Sequence, residues 1–264
     1  MDPQSLSDVG LRYDAAGPVA TITLDRPEVR NAQTPAMWRA LAAVGRQIGD
    51  EVRVVVVKGA GQSFSAGLDR SMLDPANTSG EESVAGLLGR SDDEISAAID
   101  DYQQGFTFLR DPRFVSVAVV QGYAIGAGFQ LALACDLRIL AEDAQLCMKE
   151  SALGLVPDLT GTKPLVECVG YARALEICAT ARMVGAAEAV DIGLALTAVP
   201  AEELEATTSD LVGALTAPLA GAVTETKALL QGAPDRSLEE QRRLEREAQV
   251  RRFRELAALM SGAR

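Results

Sequence analysis

The chain has 264 residues, 48% of them hydrophobic and 23% charged, with a formal net charge of −12. That length supports one large core, the composition is that of an ordinary folded protein, and so acidic a surface repels nucleic acid and anionic membrane alike. There is no histidine, which excludes Ser–His–Asp and Cys–His nucleophiles, imidazole acid–base chemistry and histidine metal sites.

Proton transfer near neutral pH therefore falls to carboxylates or to a perturbed Lys, Cys or Tyr. The four cysteines, Cys135, Cys147, Cys168 and Cys178, form no C-x-x-C pair. No zinc or redox centre is expected from them, and buried free thiols are. The start, Met1-Asp2-Pro3-Gln4-Ser5, has neither the basic nor the apolar stretch of a secretory leader, and no apolar run reaches the length of a bilayer span. A cytoplasmic location is expected.

In chain order, residues 9–13 and 18–24 read as two strands with residues 14–17 as the turn between them. Asp25-Arg26-Pro27-Glu28 breaks the second strand. Pro35 suits the first turn of a helix over 35–48 with Thr34 as its N-cap. Residues 52–58 form a continuous apolar run, the pattern of a strand buried on both faces, and Gly59-Ala60-Gly61 ends it. Residues 71–91, rich in Ser, Gly, Asp and Glu, read as a surface loop. A helix follows over 92–110, then a second buried strand over 115–120, a glycine-rich turn over 122–128, a short buried helix over 129–134 and a strand over 137–140. Alternating strands and helices of this kind predict an α/β fold. Beyond Pro200 the pattern is helical. Ser237 and Glu240 make a capping box for a charged helix with sparse apolar positions at Leu244, Val250, Phe253 and Leu256. The expected division is therefore a core over 1–200 and a helical segment over 201–264 that packs on the core or on another subunit.

Gly126-Ala127-Gly128 follows a strand and opens a helix, as a dinucleotide fingerprint does, but Leu131 stands where the third glycine belongs. No P-loop triplet is present. The informative feature is a pair of small-residue segments, each following a buried strand: Gly59 to Asp69, and Gln121 to Gln130. Small residues admit a ligand close to the backbone, and the second segment opens a helix whose N-terminus favours an anion. Two such loops can converge their N–H groups on one point, which is the physics of an oxyanion hole.

The segments Arg26-Pro27-Glu28-Val29-Arg30-Asn31-Ala32, Phe64 to Asp69, Gly122 to Asp136 and Gly154 to Gly161 together resemble the crotonase, or enoyl-CoA hydratase/isomerase, family. They occur in the family's order and spacing over residues 8–200. Val115 stands where that family often has proline. The resemblance implies the crotonase (ClpP-like) fold, a spiral of β-β-α units with a C-terminal helical trimerisation segment. It also implies an acyl-CoA substrate and a homotrimer or dimer of trimers. Coenzyme A would arrive as part of the substrate, with no other cofactor and no metal. By the same resemblance the backbone N–H groups of Leu68 and Ala127 polarise the thioester carbonyl. Arg26, Arg30 and Lys227 sit where the family meets the CoA phosphates, and Ser65, Ala66 and Leu68 lie along the CoA; a solvated surface charge is the plain alternative for each cation.

Family hydratases carry two glutamates twenty residues apart. Here those positions hold Gln130 and Glu150. An amide orients groups but exchanges no proton near neutral pH. Hydration needs one group to activate water and another to protonate the α-carbon, whereas isomerisation of a 3-enoyl thioester to the 2-enoyl form needs a single base. Glu150 is the expected base, with Gln130 and Asp158 beside it. Plainer readings make Glu150 a helix-terminal charge, Gln130 a satisfied buried amide, Asp158 a helix cap near Gly161 and Asp136 a backbone anchor. Three functions follow: a single-base isomerase, a hydratase in which Gln130 holds water and Glu150 or Asp158 supplies the proton, and an acyl-CoA-binding protein without turnover.

Overall fold

The computed structural model describes residues 3–74 and 83–262. A short helix α1 (Pro3–Asp8) leads into β1 (Leu11–Ala16), β2 (Val19–Leu24), α2 (Pro35–Gln47) and β3 (Val54–Gly59). Then come α3 (Val84–Leu87), α4 (Asp92–Thr107), β4 (Val115–Val120), β5 (Tyr123–Ile125), α5 (Ala127–Ala134), β6 (Leu137–Ala141) and β7 (Gln145–Cys147). The chain continues through α6 (Thr162–Thr180), β8 (Val184–Gly185), α7 (Ala186–Asp191) and β9 (Thr197–Val199), and closes with α8 (Leu204–Thr216), α9 (Ala220–Gly232) and α10 (Leu238–Gly262). The large sheet runs β1-β2-β3-β4-β6-β9, with only β1 antiparallel to its neighbour. A smaller sheet, β5-β7-β8, stands beside it.

The valine-rich strands are continuous apolar runs because both faces of the sheet are covered. Val55, Val57, Ala118 and Val120 join the main core with α2 and α5. Their alternates Val54, Val56, Val117 and Val119 point the other way and pack under Leu204, Leu211, Val212 and Leu215 of α8. The helical segment after residue 200 is thus seated on the outer sheet face through α8. Its last helix, α10, leaves Val250, Phe253 and Met260 exposed.

Helix starts follow the local chemistry. The Thr34 hydroxyl accepts from Met37 N at 3.3 Å, and Pro35 occupies the first helical position. Helix α4 opens with a reciprocal capping box between Ser91 and Glu94. Ser237 Oγ accepts from Glu240 N at 3.2 Å at the start of α10.

The structure departs from the expectations in the first hairpin. Asp14 and Ala16 are strand residues paired with Thr21 and Val19, so the turn is only Gly17-Pro18. β1 is an edge strand whose second half faces water, so a charged residue is tolerated where turn chemistry suggested a break. Of the expected loop over 71–91, residues 75–82 lie outside the described residues. The rest includes α3, which Ser83 caps by accepting from Gly86 N.

Helices α2 and α4 approach closely. The Trp38 ring lies 5.2 Å from Tyr102 and 6.1 Å from Phe106, and Gly105 of α4 sits directly against the Trp38 carbonyl, leaving no room for a Cβ. Gly105→Ala is expected to push these helices apart and to destabilise the protein by about 1–3 kcal/mol, read from urea denaturation midpoints.

Candidate active site

β3 and β4 are parallel neighbours, so the loops that follow them leave from one edge of the sheet. Main-chain bonds lace the two loops together. Ser65 N donates to Tyr123 O at 2.8 Å, and Ile125 N donates to Ser65 O at 3.0 Å. Gly67, with φ +86°, lies so close to the Ile125 carbonyl that a side chain there is excluded, and a Cβ would stand 3.5 Å from Ala127 N. Leu68 is bridged to Gln33: Gln33 N donates to Gly67 O at 2.7 Å, and Asp69 N donates to Gln33 O at 2.8 Å. In that pairing the Leu68 N–H faces away from Gln33. Ala127 is the first residue of α5, where an N–H has no acceptor within the helix. Neither amide has a hydrogen-bond acceptor among the described residues.

Glu150 lies beside this pair, its Oε1 3.3 Å from where a Cβ on Gly126 would be. The Gln130 amide donates through Nε2 to Glu150 Oε1 at 2.6 Å. Its own oxygen accepts from Leu159 N at 2.9 Å and Gly161 N at 3.2 Å. Two backbone donors at one end leave the amide a single orientation, with its N–H groups toward Glu150. Gln130 is therefore a buried amide, oriented by Leu159 and Gly161, that holds Glu150 through its nitrogen. The second carboxylate oxygen, Oε2, is buried and without a hydrogen-bond partner. Burial pushes the Glu150 carboxyl above its ordinary range; the bond from Gln130 opposes this and the charge of Asp158 adds to it.

Asp158 is itself raised by burial. It is not the helix cap, since Gly161 takes that position for α6. Its carbonyl accepts from Gln103 Nε2 of α4 at 2.7 Å. A buried carboxyl group of raised proton affinity thus lies beside two unengaged main-chain donors, with the charge of Asp158 near enough to raise it further. That arrangement can stabilise an oxyanion and move a proton next to it.

The remaining expected residues divide. Ser65 is buried; its hydroxyl accepts from Gly67 N at 3.1 Å and donates to Asn31 O at 2.7 Å, so its side chain braces the loop from within. Ala66 is half-buried and bonded through its N–H to Arg30 O at 2.8 Å. Arg26 donates to Asp69 Oδ2 at 2.9 Å and to Ala32 O at 2.8 Å, bracing the loop segment that carries Leu68. Arg30 has no carboxylate partner among the described residues. Its guanidinium lies 5.6 Å from the Tyr123 ring centroid, at a groove of about 1060 Å³ that Lys58 and Gln62 also line.

Lys227 is a correction. Rather than approaching a nucleotide, it is buried, and its ammonium donates at 2.7 Å to each of Asp111 O, Phe114 O and Asp136 Oδ2. A lysine has three donors, and all are used within the chain. Asp136 also accepts from Ser116 N at 2.8 Å, so it is the expected backbone anchor. Sequence reasoning missed Gln33, Trp38 and Gln103, whose partners lie far along the chain or across a helix pair.

Comparison with known proteins identifies the family. The family model for enoyl-CoA hydratase/isomerase matches residues 14–261. A peroxisomal Delta(3,5)-Delta(2,4)-dienoyl-CoA isomerase of Arabidopsis thaliana is 30% identical over 87% of this chain and 83% of its own. A Rhodobacter capsulatus protein named as a probable enoyl-CoA hydratase is 34% identical over 74% of this chain and 70% of its own. Among solved structures, a Thermobifida fusca chain in complex with acetoacetyl-CoA carries an enoyl-CoA hydratase name of the same provisional kind. It superposes with a TM-score of 0.92 at 48% identity, covering 96% of this chain and 98% of that one. The chain belongs to the enoyl-CoA hydratase/isomerase family and has the crotonase fold.

The structural assignment of Lys227 has a direct test. Lys227→Met leaves Asp136 without its counter-charge and is expected to cost about 3–5 kcal/mol in chemical denaturation. KM for an acyl-CoA substrate is expected to stay at the wild-type value.

Proposed function

We propose that this member of the family is an isomerase that moves the double bond of a 3-enoyl-CoA to the 2-position, with Glu150 as its single proton shuttle. The observation that carries this reading is the direct bond from Gln130 to Glu150, with the far end of the amide held by Leu159 and Gly161. A contact of 2.6 Å leaves no seat for a water between the two side chains. Nor has the amide a proton to give. Hydration by a pair at these positions is therefore disfavoured, and one bare carboxylate oxygen remains.

The chemistry then follows. The thioester oxygen accepts from the N–H groups of Leu68 and Ala127, which stabilises negative charge on it. Glu150 Oε2 takes a proton from the α-carbon, and the electrons of that bond pass into a dienolate. The same oxygen returns the proton to the γ-carbon, leaving the double bond between the α- and β-carbons. No external acid, base or cofactor enters the balance; the CoA arrives with the substrate. Arg30 is the cation placed to meet the CoA phosphates. The exposed apolar positions of α10 suit association of copies, in keeping with a trimer or dimer of trimers.

Asp158 favours a second reading. A 3,5-dienoyl thioester becomes the 2,4-dienoyl form when a proton leaves carbon 2 and one returns at carbon 6, four bonds away. A single carboxylate is poorly placed for both ends, and a second carboxyl group near enough for its charge to act on Glu150 suits the task. The dienoyl-CoA isomerase name of the Arabidopsis relative points the same way.

One set of assays in deuterated water decides among these. Conversion of 3-enoyl-CoA to 2-enoyl-CoA is the expected result, with the γ-carbon receiving chiefly the protium that Glu150 took from the α-carbon. Turnover of 3,5-dienoyl-CoA that Asp158→Asn abolishes supports the second reading. Formation of 3-hydroxyacyl-CoA overturns both, and so does tight binding of the enoyl and dienoyl thioesters without turnover.

The base must be ionised, and its pKa is raised. Activity is therefore expected to fall as pH drops through a value above the ordinary glutamate range. Glu150→Gln is expected to lose about a hundred- to ten-thousand-fold in kcat. Burial makes ionised Glu150 unfavourable to the fold, so the stability its protonated form contributes is lost as pH rises through the folded pKa. Above that pH the Glu150→Gln variant is expected to melt no lower than wild type.

A further inference from the structure

We infer that Gln33, clamped by Trp38 and Ser65, is a positioning residue that aims and strengthens the Leu68 N–H toward the thioester oxygen. The inference rests on the reading of Leu68 as an oxyanion donor and adds what holds that donor in place.

The Gly67–Leu68 peptide is a rigid plane with its carbonyl and its N–H on opposite sides. Gln33 N donates to the Gly67 carbonyl at 2.7 Å. Whatever fixes that carbonyl therefore fixes the direction of the Leu68 N–H. A hydrogen bond to the carbonyl also polarises the peptide and makes its N–H a better donor. Gln33 is thus attached to the back of the group whose front faces the substrate. The main-chain bond from Asp69 N to Gln33 O, at 2.8 Å, closes the other side.

The side chain of Gln33 fixes its own backbone. It is wholly buried, and both ends of its amide are engaged. The indole N–H of Trp38 donates to Gln33 Oε1 at 2.8 Å, and Gln33 Nε2 donates to Ser65 Oγ at 3.0 Å. Ser65 Oγ in turn accepts from Gly67 N at 3.1 Å and donates to Asn31 O at 2.7 Å. The chain of bonds starts in the α2–α4 packing, where Trp38 meets Tyr102, and ends on the glycine immediately before the oxyanion donor. A buried network with each of these bonds made holds one arrangement, since leaving any member unpaired is costly. A wholly buried polar side chain, tied at both ends to other buried polar groups, is hard to explain by packing alone. A hydrophobic residue would fill the volume but would leave the Trp38 indole and the loop unheld.

The test reads carbonyl polarisation directly. Infrared difference spectra are recorded with a saturated acyl-CoA labelled with carbon-13 at the thioester carbonyl, bound to wild type and to Gln33→Met. Wild type is expected to lower the carbonyl stretching frequency relative to free ligand. Gln33→Met is expected to lose most of that lowering and to fall about a hundred-fold in kcat, while its dissociation constant for the same ligand changes little. A structural role alone would lower the melting temperature and leave the bound carbonyl frequency where it was, and that result overturns the inference. If wild type itself shows no lowering, the oxyanion reading of Leu68 fails first, which is a separate outcome. Should Gln33→Met not fold, Trp38→Phe keeps the ring packing and removes only the indole donor. A smaller loss of the frequency shift in that variant supports the inference, and none overturns it.

Discussion

Ser65 exchanges two main-chain hydrogen bonds with β5, at 2.8 Å and 3.0 Å, and through them the loop after β3 is stitched to the loop after β4. The two loops start from adjacent parallel strands, so they emerge on the same edge of the sheet, where open α/β sheets place their ligands. The stitch brings Gly67 onto the Ile125 carbonyl and within reach of Ala127 N, which only a residue without Cβ permits. Two N–H groups separated by 59 positions in the chain then share one small space. The valine-rich strands matter to chemistry for this reason. Buried on both faces, they hold the two loop origins at a fixed spacing.

The carboxylate beside these donors is held at odds with the fold. Burial favours its neutral form, and the chemistry proposed for it uses the charged one. Gln130 moderates the conflict. Its amide N–H donates to Oε1 and lowers the proton affinity, whereas a glutamate at that position would add a like charge and raise it further. The two oxygens of Glu150 therefore differ: Oε1 is anchored, and Oε2 is bare. An anchored carboxylate with one free oxygen has a defined direction of attack, and this is what separates a proton shuttle from a buried acid that merely survives. The backbone donors of Leu159 and Gly161 fix the amide in turn, so the orientation of the base is set by main chain two steps removed.

Much of this was legible in the chain. The strands over 52–58 and 115–120 were readable because uninterrupted valine runs have one structural meaning in an α/β pattern. Thr34-Pro35 announced α2, and the resemblance to the crotonase family, whose hydratases carry two glutamates at these positions, located the pair Gln130 and Glu150. β5, β7 and β8 were not readable, because strands of two or three residues show no period and exist only through their partners. α6 was hidden by Gly170, whose φ of +74° interrupts the helix and its apolar spacing. Gln33 looked like an ordinary polar residue before a helix. Its role depends on Trp38 and Ser65 meeting it in three dimensions, one from within α2 and one from 32 positions away.

The cations show the same limit in sharper form. A lysine that neutralises Asp136 inside the protein and an arginine open to a ligand are alike in sequence; only their partners differ. Arg26 is matched by Asp69 and Lys227 by Asp136, so each pair contributes no net charge to the surface. In a chain of net charge −12 this leaves little long-range attraction for a polyanion such as the CoA moiety. Recognition of the proposed substrate must then come from close range, within a Debye length of about 8 Å at physiological salt. In the proposed reading Arg30, which lines the groove beside Lys58 and Gln62, supplies it for the phosphates, and the main-chain donors of Leu68 and Ala127 supply it at the thioester. Selectivity built this way depends on the shape of two backbone loops more than on surface charge, in keeping with the half-buried Arg26 and the buried Asn31, Gln33 and Ser65 all bonding to the main chain of those loops or to its neighbours.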